Sequence, residues 1–125
     1  MKKLILIIDD NPTNRKLLRV ILNAQGYATS EAETGEEALT EMKAQPPALV
    51  LMDYRLPGMD GVALSKLIKA DPRFSAIPII IVTASAMKSD RERITQESGC
   101  DGYISKPIDM KLLLESVKNF IGSGD

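Results

Sequence analysis

The sequence contains no histidine, and Cys100 is its single cysteine. The absence of histidine removes the commonest general base, the commonest zinc ligand and any phosphohistidine within the chain itself. A single cysteine cannot form an internal disulfide bond, which favours a reducing compartment such as the cytoplasm. The chemistry of this chain must therefore use carboxylates, hydroxyls and lysine.

The chain also lacks an excess of either charge and a long apolar run. Lys and Arg number 16 against 17 Asp and Glu, which gives a net charge of -1, so nothing indicates binding to nucleic acid. The sequence shows neither a signal peptide nor an apolar run of membrane length. With 125 residues, it is long enough for one domain with a real core. We therefore expect a cytoplasmic protein whose partners are other proteins.

The most informative stretch is ALVLMDYRLPGMDG, which begins at Ala48 and contains an apolar run that ends at Asp53. An apolar run without alternation is typical of a strand that is buried on both faces of a parallel sheet. Open parallel sheets bind ligands beyond the carboxyl ends of their strands. Asp53, followed by a loop with Pro57 and Gly58, is therefore the first candidate for a reactive residue.

Strand and helix patterns alternate along the whole chain. Strands are predicted over residues 3–8, 28–32, 48–53, 79–83 and 102–105, and the polar strand 28–32 is expected at an edge. Helices are predicted to follow these starting residues: Asn11, Thr34, Asp60, Ser89 or Asp90, and Asp109. Right-handed crossovers would join these elements into a parallel sheet with helices on both faces.

Apolar positions in the predicted helices indicate the faces that pack against the sheet. They are Leu17, Leu18, Ile21 and Leu22 in the first helix, Ala38, Leu39 and Met42 in the second, Val62, Leu64, Leu67 and Ile68 in the third, and Met110, Leu113, Leu114, Val117, Phe120 and Ile121 in the last. The helix that ends at Ser98 has only Ile94 as a strongly apolar residue, so we expect it to be weakly packed.

Polar residues end four of the predicted strands, namely Asp9 with Asp10, Asp53, Thr83 and Lys106. Each one alone is explained by a structural role, such as a helix cap, a strand hydroxyl or a solvated charge. Together they should meet at one edge, where three carboxylates repel by ~1 to 4 kcal/mol per pair at 4 Å. A divalent cation would relieve this repulsion, and oxygen ligands favour Mg²⁺. A bound phosphoryl group would need a hydrogen-bond donor and a positive charge for its remaining oxygens, and the hydroxyl and the lysine supply them. Phosphoryl transfer is therefore the implied reaction.

The segments IIDDN, LMDYRLPGMDG, IVTASA and YISKP, in this order and spacing, resemble the receiver domain of two-component response regulators. The resemblance covers essentially residues 1–125 and implies one receiver domain without an output domain. It also implies a CheY-like, flavodoxin-like fold, in which a five-stranded parallel sheet has the order 2-1-3-4-5 and five helices cover it. The stretch TASAMKSDRERITQESGCDGYISKPI further resembles stand-alone receivers of the DivK type and receivers attached to hybrid kinases.

By this resemblance, Asp53 accepts a phosphoryl group from a phosphohistidine of a sensor histidine kinase or a histidine phosphotransfer protein. Asp10, Asp53 and the backbone carbonyl of Arg55 would bind Mg²⁺, and Asp9 would hold metal-bound water. Arg55 and Ser85 occupy positions that tune dephosphorylation in the family. No turnover of a separate substrate is expected.

The resemblance assigns the remaining site residues to the phosphoryl group and to a switch. Lys106 and the backbone amide of Ala84 would contact the phosphoryl group, and the peptide bond between Lys106 and Pro107 would be cis. Thr83 resembles the switch hydroxyl and Tyr103 the switch aromatic residue. A downstream protein would then recognise the face made by the fourth helix, the fifth strand and the fifth helix.

Two other classes of protein fit part of this pattern. A phosphatase of the haloacid dehalogenase type also uses aspartate, lysine and Mg²⁺ at the end of a parallel sheet. That class, however, has an Asp-x-Asp motif after one strand. Here Asp9 and Asp10 are adjacent, and Asp53 lies on another strand. A flavin-binding module would need a hydroxyl-rich or glycine-rich phosphate loop where this sequence has DDNPTN. Labelling by acetyl phosphate with Mg²⁺ would exclude the flavin interpretation.

Overall fold

The computed structural model describes residues 2–84 and 87–124, and over these residues five strands alternate with five helices. The strands are β1 (Leu4–Ile8), β2 (Ala28–Ala32), β3 (Leu49–Asp53), β4 (Ile79–Thr83) and β5 (Gly102–Ser105). The helices are α1 (Pro12–Ala24), α2 (Gly35–Ala44), α3 (Gly61–Ala70), α4 (Lys88–Ser98) and α5 (Met110–Ile121). The predicted alternation is confirmed, and α4 begins one or two residues earlier than the predicted start at Ser89 or Asp90.

All strand pairs of the sheet are parallel, and the strand order is β2-β1-β3-β4-β5. This order confirms the predicted CheY-like fold and places the polar strand β2 at an edge. The register pairs Asp53 with Val82 and Thr83 with Ser105. The polar residues that follow the strands are therefore brought to the same edge of the sheet.

Alternation within the strands gives the sheet two buried faces. On one face, Met52 and Ile81 pack with Met42 of α2, Leu64 of α3 and Ile94 of α4. The other face packs against α1 and α5 through a separate group of buried residues, which comprises Ile5, Ile7, Leu49, Leu51, Ile80 and Val82 from the strands and Leu18, Leu22, Leu113 and Val117 from the helices. The central strands are apolar throughout because both of their faces are covered.

Three apolar positions predicted to face the core are exposed instead. Leu17 is 50% exposed, Leu67 is 49% exposed and Phe120 is 39% exposed. A helix that lies on a sheet buries a narrow strip, so a residue beside that strip points along the surface. Apolar character indicated the correct side of each helix but overestimated the width of the buried strip.

Helix starts follow the predicted capping residues except in α4. The side chains of Asn11, Thr34, Asp60 and Asp109 accept hydrogen bonds from backbone amides in the first turns of α1, α2, α3 and α5. Helix α4 begins after Met87, whose side chain makes no capping hydrogen bond with the described residues. Its buried residues are Ile94 and Ser98, which agrees with the weak packing expected from the sequence. Over residues 2–84 and 87–124, no helix has both the length and the apolar character needed to cross a membrane.

Candidate functional site

Asp53 ends β3 and lies at the carboxyl edge of the sheet with its side chain 10% exposed. Its Oδ2 accepts a hydrogen bond from Lys106 Nζ at 3.0 Å, and its Oδ1 accepts one from the Arg55 amide at 3.4 Å. The loop after Asp53 brings Gly61 back against the end of β3. A Cβ at Gly61 would lie 3.0 Å from the Asp53 carbonyl oxygen. Glycine at this position allows α3 to begin directly beside the end of β3.

The two acids that follow β1 have different surroundings. Asp9 is buried, and its Oδ1 accepts a hydrogen bond from the Asn11 amide at 2.9 Å. Its Oδ2 lies 3.4 Å from Asn14 Nδ2, near the start of α1. Asp10 is exposed. One acid is thus held by the start of α1, while the other faces solvent at the mouth of the site.

One carboxylate oxygen from each of Asp9, Asp10 and Asp53 lies within 4.8 Å of the other two. Burial raises the pKa of Asp9 above its ordinary value, and the hydrogen bond from the Asn11 amide opposes that change. The charge of Asp53 raises the Asp9 pKa as well. Such crowding of oxygen ligands can hold a hard cation such as Mg²⁺, which retains several waters and needs few protein ligands. The three predicted acids therefore form a candidate metal site.

Thr83 and Lys106 are joined through the backbone at the same edge. Thr83 ends β4 and is buried, and its carbonyl oxygen accepts a hydrogen bond from the Lys106 amide at 2.7 Å. The peptide bond between Lys106 and Pro107 is cis, as the resemblance implied. Ala84 follows β4 and is exposed. The lysine that contacts Asp53 is therefore fixed at its backbone by the strand that carries Thr83.

Tyr103 lies outside the acidic group, on β5 beside α4. Its ring is half-buried, and the guanidinium of Arg91 lies 5.5 Å from the ring centroid. Both residues line a groove of about 500 Å³ together with Leu112 of α5. Arg93 of α4 interacts with the side chain of Tyr54, and this hydrogen bond raises the pKa of Arg93 above its ordinary value. Helix α4 therefore contacts both the edge strand β5 and the residue after Asp53.

Ser85, the other predicted tuning position, lies outside the described residues. Arg55 is exposed and follows Asp53 by two residues. Arg15 was not predicted as a site residue, and its Nη1 donates to the backbone carbonyl oxygen of Asp9 at 2.6 Å. The sequence shows an arginine one turn into the helix after the acid pair, but it does not indicate which group that arginine contacts.

Comparison with known proteins identifies the family of this chain. Residues 5–118 match the response regulator receiver domain family. The polar-differentiation response regulator DivK of Brucella ovis is 43% identical over 122 residues, which is 98% of each chain. It is thus similar in length as well as in sequence.

Solved receiver structures are also similar to this chain. The receiver domain of a sensor histidine kinase from Pseudomonas aeruginosa, with a magnesium ion coordinated in its active site cleft, has 32% identity and a TM-score of 0.87. That comparison covers 98% of this chain and 100% of the other. The chemotaxis response regulator CheY4 of Vibrio cholerae has 22% identity, a TM-score of 0.88 and coverage of 96% and 99%, which shows the shared fold. The chain therefore belongs to the response regulator receiver domain family of two-component systems.

Proposed function

We propose that this receiver takes a phosphoryl group from a partner's phosphohistidine onto the carboxylate of Asp53 and then changes the proteins to which it binds. The observation that carries the proposal is the position of Asp53, which accepts a hydrogen bond from Lys106 and has a carboxylate oxygen within 4.8 Å of oxygens of Asp9 and Asp10. A carboxylate at the end of a buried strand, open to solvent at one edge, is accessible to a phosphodonor.

In the proposed transfer, an Asp53 carboxylate oxygen attacks phosphorus, and a new P–O bond forms while the P–N bond to the donor imidazole breaks. The imidazole nitrogen keeps the electron pair of that bond. Lys106 already lies 3.0 Å from Asp53 Oδ2, so its ammonium can stabilise negative charge on the transferred group. We assign the Ala84 amide and the Thr83 hydroxyl to the remaining phosphoryl oxygens.

The acid group fits Mg²⁺ because its three side chains offer carboxylate oxygens and one of them, Asp10, is exposed. We assign direct ligation to Asp10, Asp53 and the backbone carbonyl of Arg55, and contact through water to Asp9. When bound, Mg²⁺ would neutralise the crowded carboxylates and the phosphoryl oxygens. Asp9 keeps its position through the Asn11 amide, and its carboxylate would orient a metal-bound water.

We further propose that the readout surface comprises α4, β5 and α5, with Tyr103 as the switch residue. Its proximity to Arg91 supports this assignment, because a change at Tyr103 alters a groove that α4 and α5 share. The partners would be a sensor histidine kinase or a histidine phosphotransfer protein, and a downstream target protein. Cys100 is a free, buried thiol, which supports our proposal that the protein acts in the reducing cytoplasm.

The proposal is tested by intact-mass spectrometry after incubation with acetyl phosphate and MgCl₂. We expect one phosphoryl group on the wild type, none without divalent cation, and none on Asp53→Asn, since an amide is a poor nucleophile of the same shape. Peptide mapping after reductive trapping should locate the label at Asp53. Full labelling of Asp53→Asn would contradict the proposal, and a label at Asp9 with continued phosphate release would favour the phosphatase alternative.

A further inference from the structure

Arg15 connects the acid pair to the edge strand through three contacts of one guanidinium. Its Nη1 donates to the Asp9 carbonyl oxygen at 2.6 Å, and its Nε and Nη2 lie 3.2 Å from Glu31 Oε1 and Glu33 Oε1, respectively. The Arg15 side chain is only 12% exposed. Because the guanidinium is planar and its donors form a rigid fork, three contacts fix it in place.

The backbone around Asp9 is held on both sides by these contacts. The Asp9 amide donates to the Ala32 carbonyl of β2 at 3.1 Å, and the Asp9 carbonyl accepts from Arg15. A peptide unit is planar, so the Asp9 carbonyl and the Asp10 amide turn together. The direction of the Asp10 side chain therefore depends on the orientation of the Asp9 carbonyl, which Arg15 holds. Packing contributes little to that direction because Asp10 is exposed.

We propose that Arg15 is a positioning residue for the metal site. Held by Glu31 and Glu33, it keeps the Asp9–Asp10 peptide in the orientation that brings both carboxylates to Asp53. This inference rests on the proposed Mg²⁺ site and identifies the residue that preorganises it. Arg15 acts through the Asp9 carbonyl and takes no part in the transfer itself.

Loss of Arg15 has two effects of opposite sign on cation binding. Removal of a positive charge near three carboxylates would by itself strengthen Mg²⁺ binding. Removal of the hydrogen bond would free the Asp9–Asp10 peptide, and loss of such supporting contacts commonly weakens metal binding by about 10- to 100-fold. The sign of the change therefore separates positioning from simple electrostatics.

Arg19 provides a matched control on the same helix. Its Nη1 pairs with Glu31 Oε2 at 2.7 Å, so it shares an ion-pair partner with Arg15. Its contact is with the carboxylate of the edge strand rather than with the Asp9 carbonyl. Arg15→Met and Arg19→Met remove the same charge and retain an unbranched side chain. The change at Arg15 also removes the hydrogen bond to the Asp9 carbonyl and the contact with Glu33.

The test is an NMR titration of the full chain with MgCl₂ alone, at constant ionic strength, that follows amide shifts near residues 10 and 53. We expect Arg19→Met to bind Mg²⁺ as tightly as the wild type or slightly more tightly, and Arg15→Met to bind at least about tenfold more weakly. Equal affinities of the two variants would overturn the inference.

A melting curve without metal shows whether each variant is folded before the titration. If Arg15→Met does not fold at room temperature, Arg15→Lys is compared with Arg19→Lys. Lysine keeps the charge but has one ammonium in place of the fork, so weaker Mg²⁺ binding by Arg15→Lys is again expected, and equal affinities would again overturn the inference. Absence of Mg²⁺ binding by the wild type would overturn the proposed metal site itself, which is a different result from equal binding by the two variants.

Discussion

At the scale of single residues, the two adjacent aspartates differ in how their replacement would affect stability. Asp9 is buried and accepts a hydrogen bond from the Asn11 amide, whereas Asp10 is exposed. Either substitution to alanine would relieve repulsion among the carboxylates. Only the change at Asp9 would also remove the acceptor of that amide, at a cost of about 1 kcal/mol. The two acids could not be distinguished from the sequence, because they differ in burial.

We therefore predict that Asp10→Ala raises the free energy of unfolding of the metal-free protein by up to about 1 kcal/mol, as expected for a like charge lost at 4 to 5 Å. Asp9→Ala should leave that free energy unchanged or lower it. Urea denaturation in the presence of a chelator measures both values. Equal stabilisation by the two variants, or none by Asp10→Ala, would contradict this account of the acidic group.

At the scale of secondary-structure elements, α4 is anchored at its C-terminal end. The Ser65 hydroxyl of α3 donates to the Ser98 carbonyl at 2.8 Å, and Gly99 ends α4 in a left-handed conformation with φ of 69°. Its first turn follows Met87, an exposed residue that makes no capping hydrogen bond with the described residues. Ion pairs along its surface, such as Arg93 with Glu97 at 3.6 Å, contribute little to stability because they are exposed.

A capping residue should therefore stabilise α4 at little cost. We predict that Met87→Asp raises the free energy of unfolding by about 0.5 to 1 kcal/mol, since an aspartate can accept a hydrogen bond from an amide of the first turn. Asp109→Ala is the matched opposite, because Asp109 caps α5 through the amides of Lys111 and Leu112, and its loss should cost about 1 kcal/mol. Urea denaturation tests both variants, and no gain from Met87→Asp would show that the α4 start is already satisfied.

The elements were largely predictable because their signals are local. Continuous apolar runs identify buried parallel strands, and Asn11, Thr34, Asp60 and Asp109 cap their helices as the sequence indicated. The exposure of Leu17 was not predictable, because it depends on how α1 is rotated against the sheet. A periodic pattern gives the side of a helix, while the packed neighbours determine which flanking residues are covered.

The acidic group was predictable for a different reason. Parallel strands end at one edge, so Asp9, Asp10 and Asp53 had to meet once the strand order was known. The contact from Arg15 to the Asp9 carbonyl was not predictable, since it requires the distance and angle between α1 and β2. Sequence patterns thus identify side chains that lie together because their strands end at one edge. They do not identify a side chain such as Arg15, which reaches the site from a helix.

At the scale of the whole molecule, the proposed readout face is connected to the acidic edge of the sheet in two places, after β3 and at the end of β4. Tyr54, the residue after Asp53, interacts with Arg93 of α4. The Thr83 carbonyl accepts from the Lys106 amide, which joins β4 to the end of β5. A phosphoryl group on Asp53 that draws Thr83 and Lys106 toward itself would act directly on the second connection, while the first connection begins at the residue next to Asp53. Because α4 is anchored near Ser98, its first turns should respond more than its last.

Amide hydrogen exchange with and without beryllofluoride, a mimic of the aspartyl phosphate, tests this response in the presence of Mg²⁺. We predict the largest change over residues 83–106, greater in the first half of α4 than in the second, and little change in α2 (Gly35–Ala44). Thr83→Ala should still be labelled at Asp53 by acetyl phosphate, yet show a smaller change in exchange, because the hydroxyl that would move toward the phosphoryl group is absent. An even response along the chain, or one that Thr83→Ala leaves intact, would contradict a switch that runs through β4 to α4.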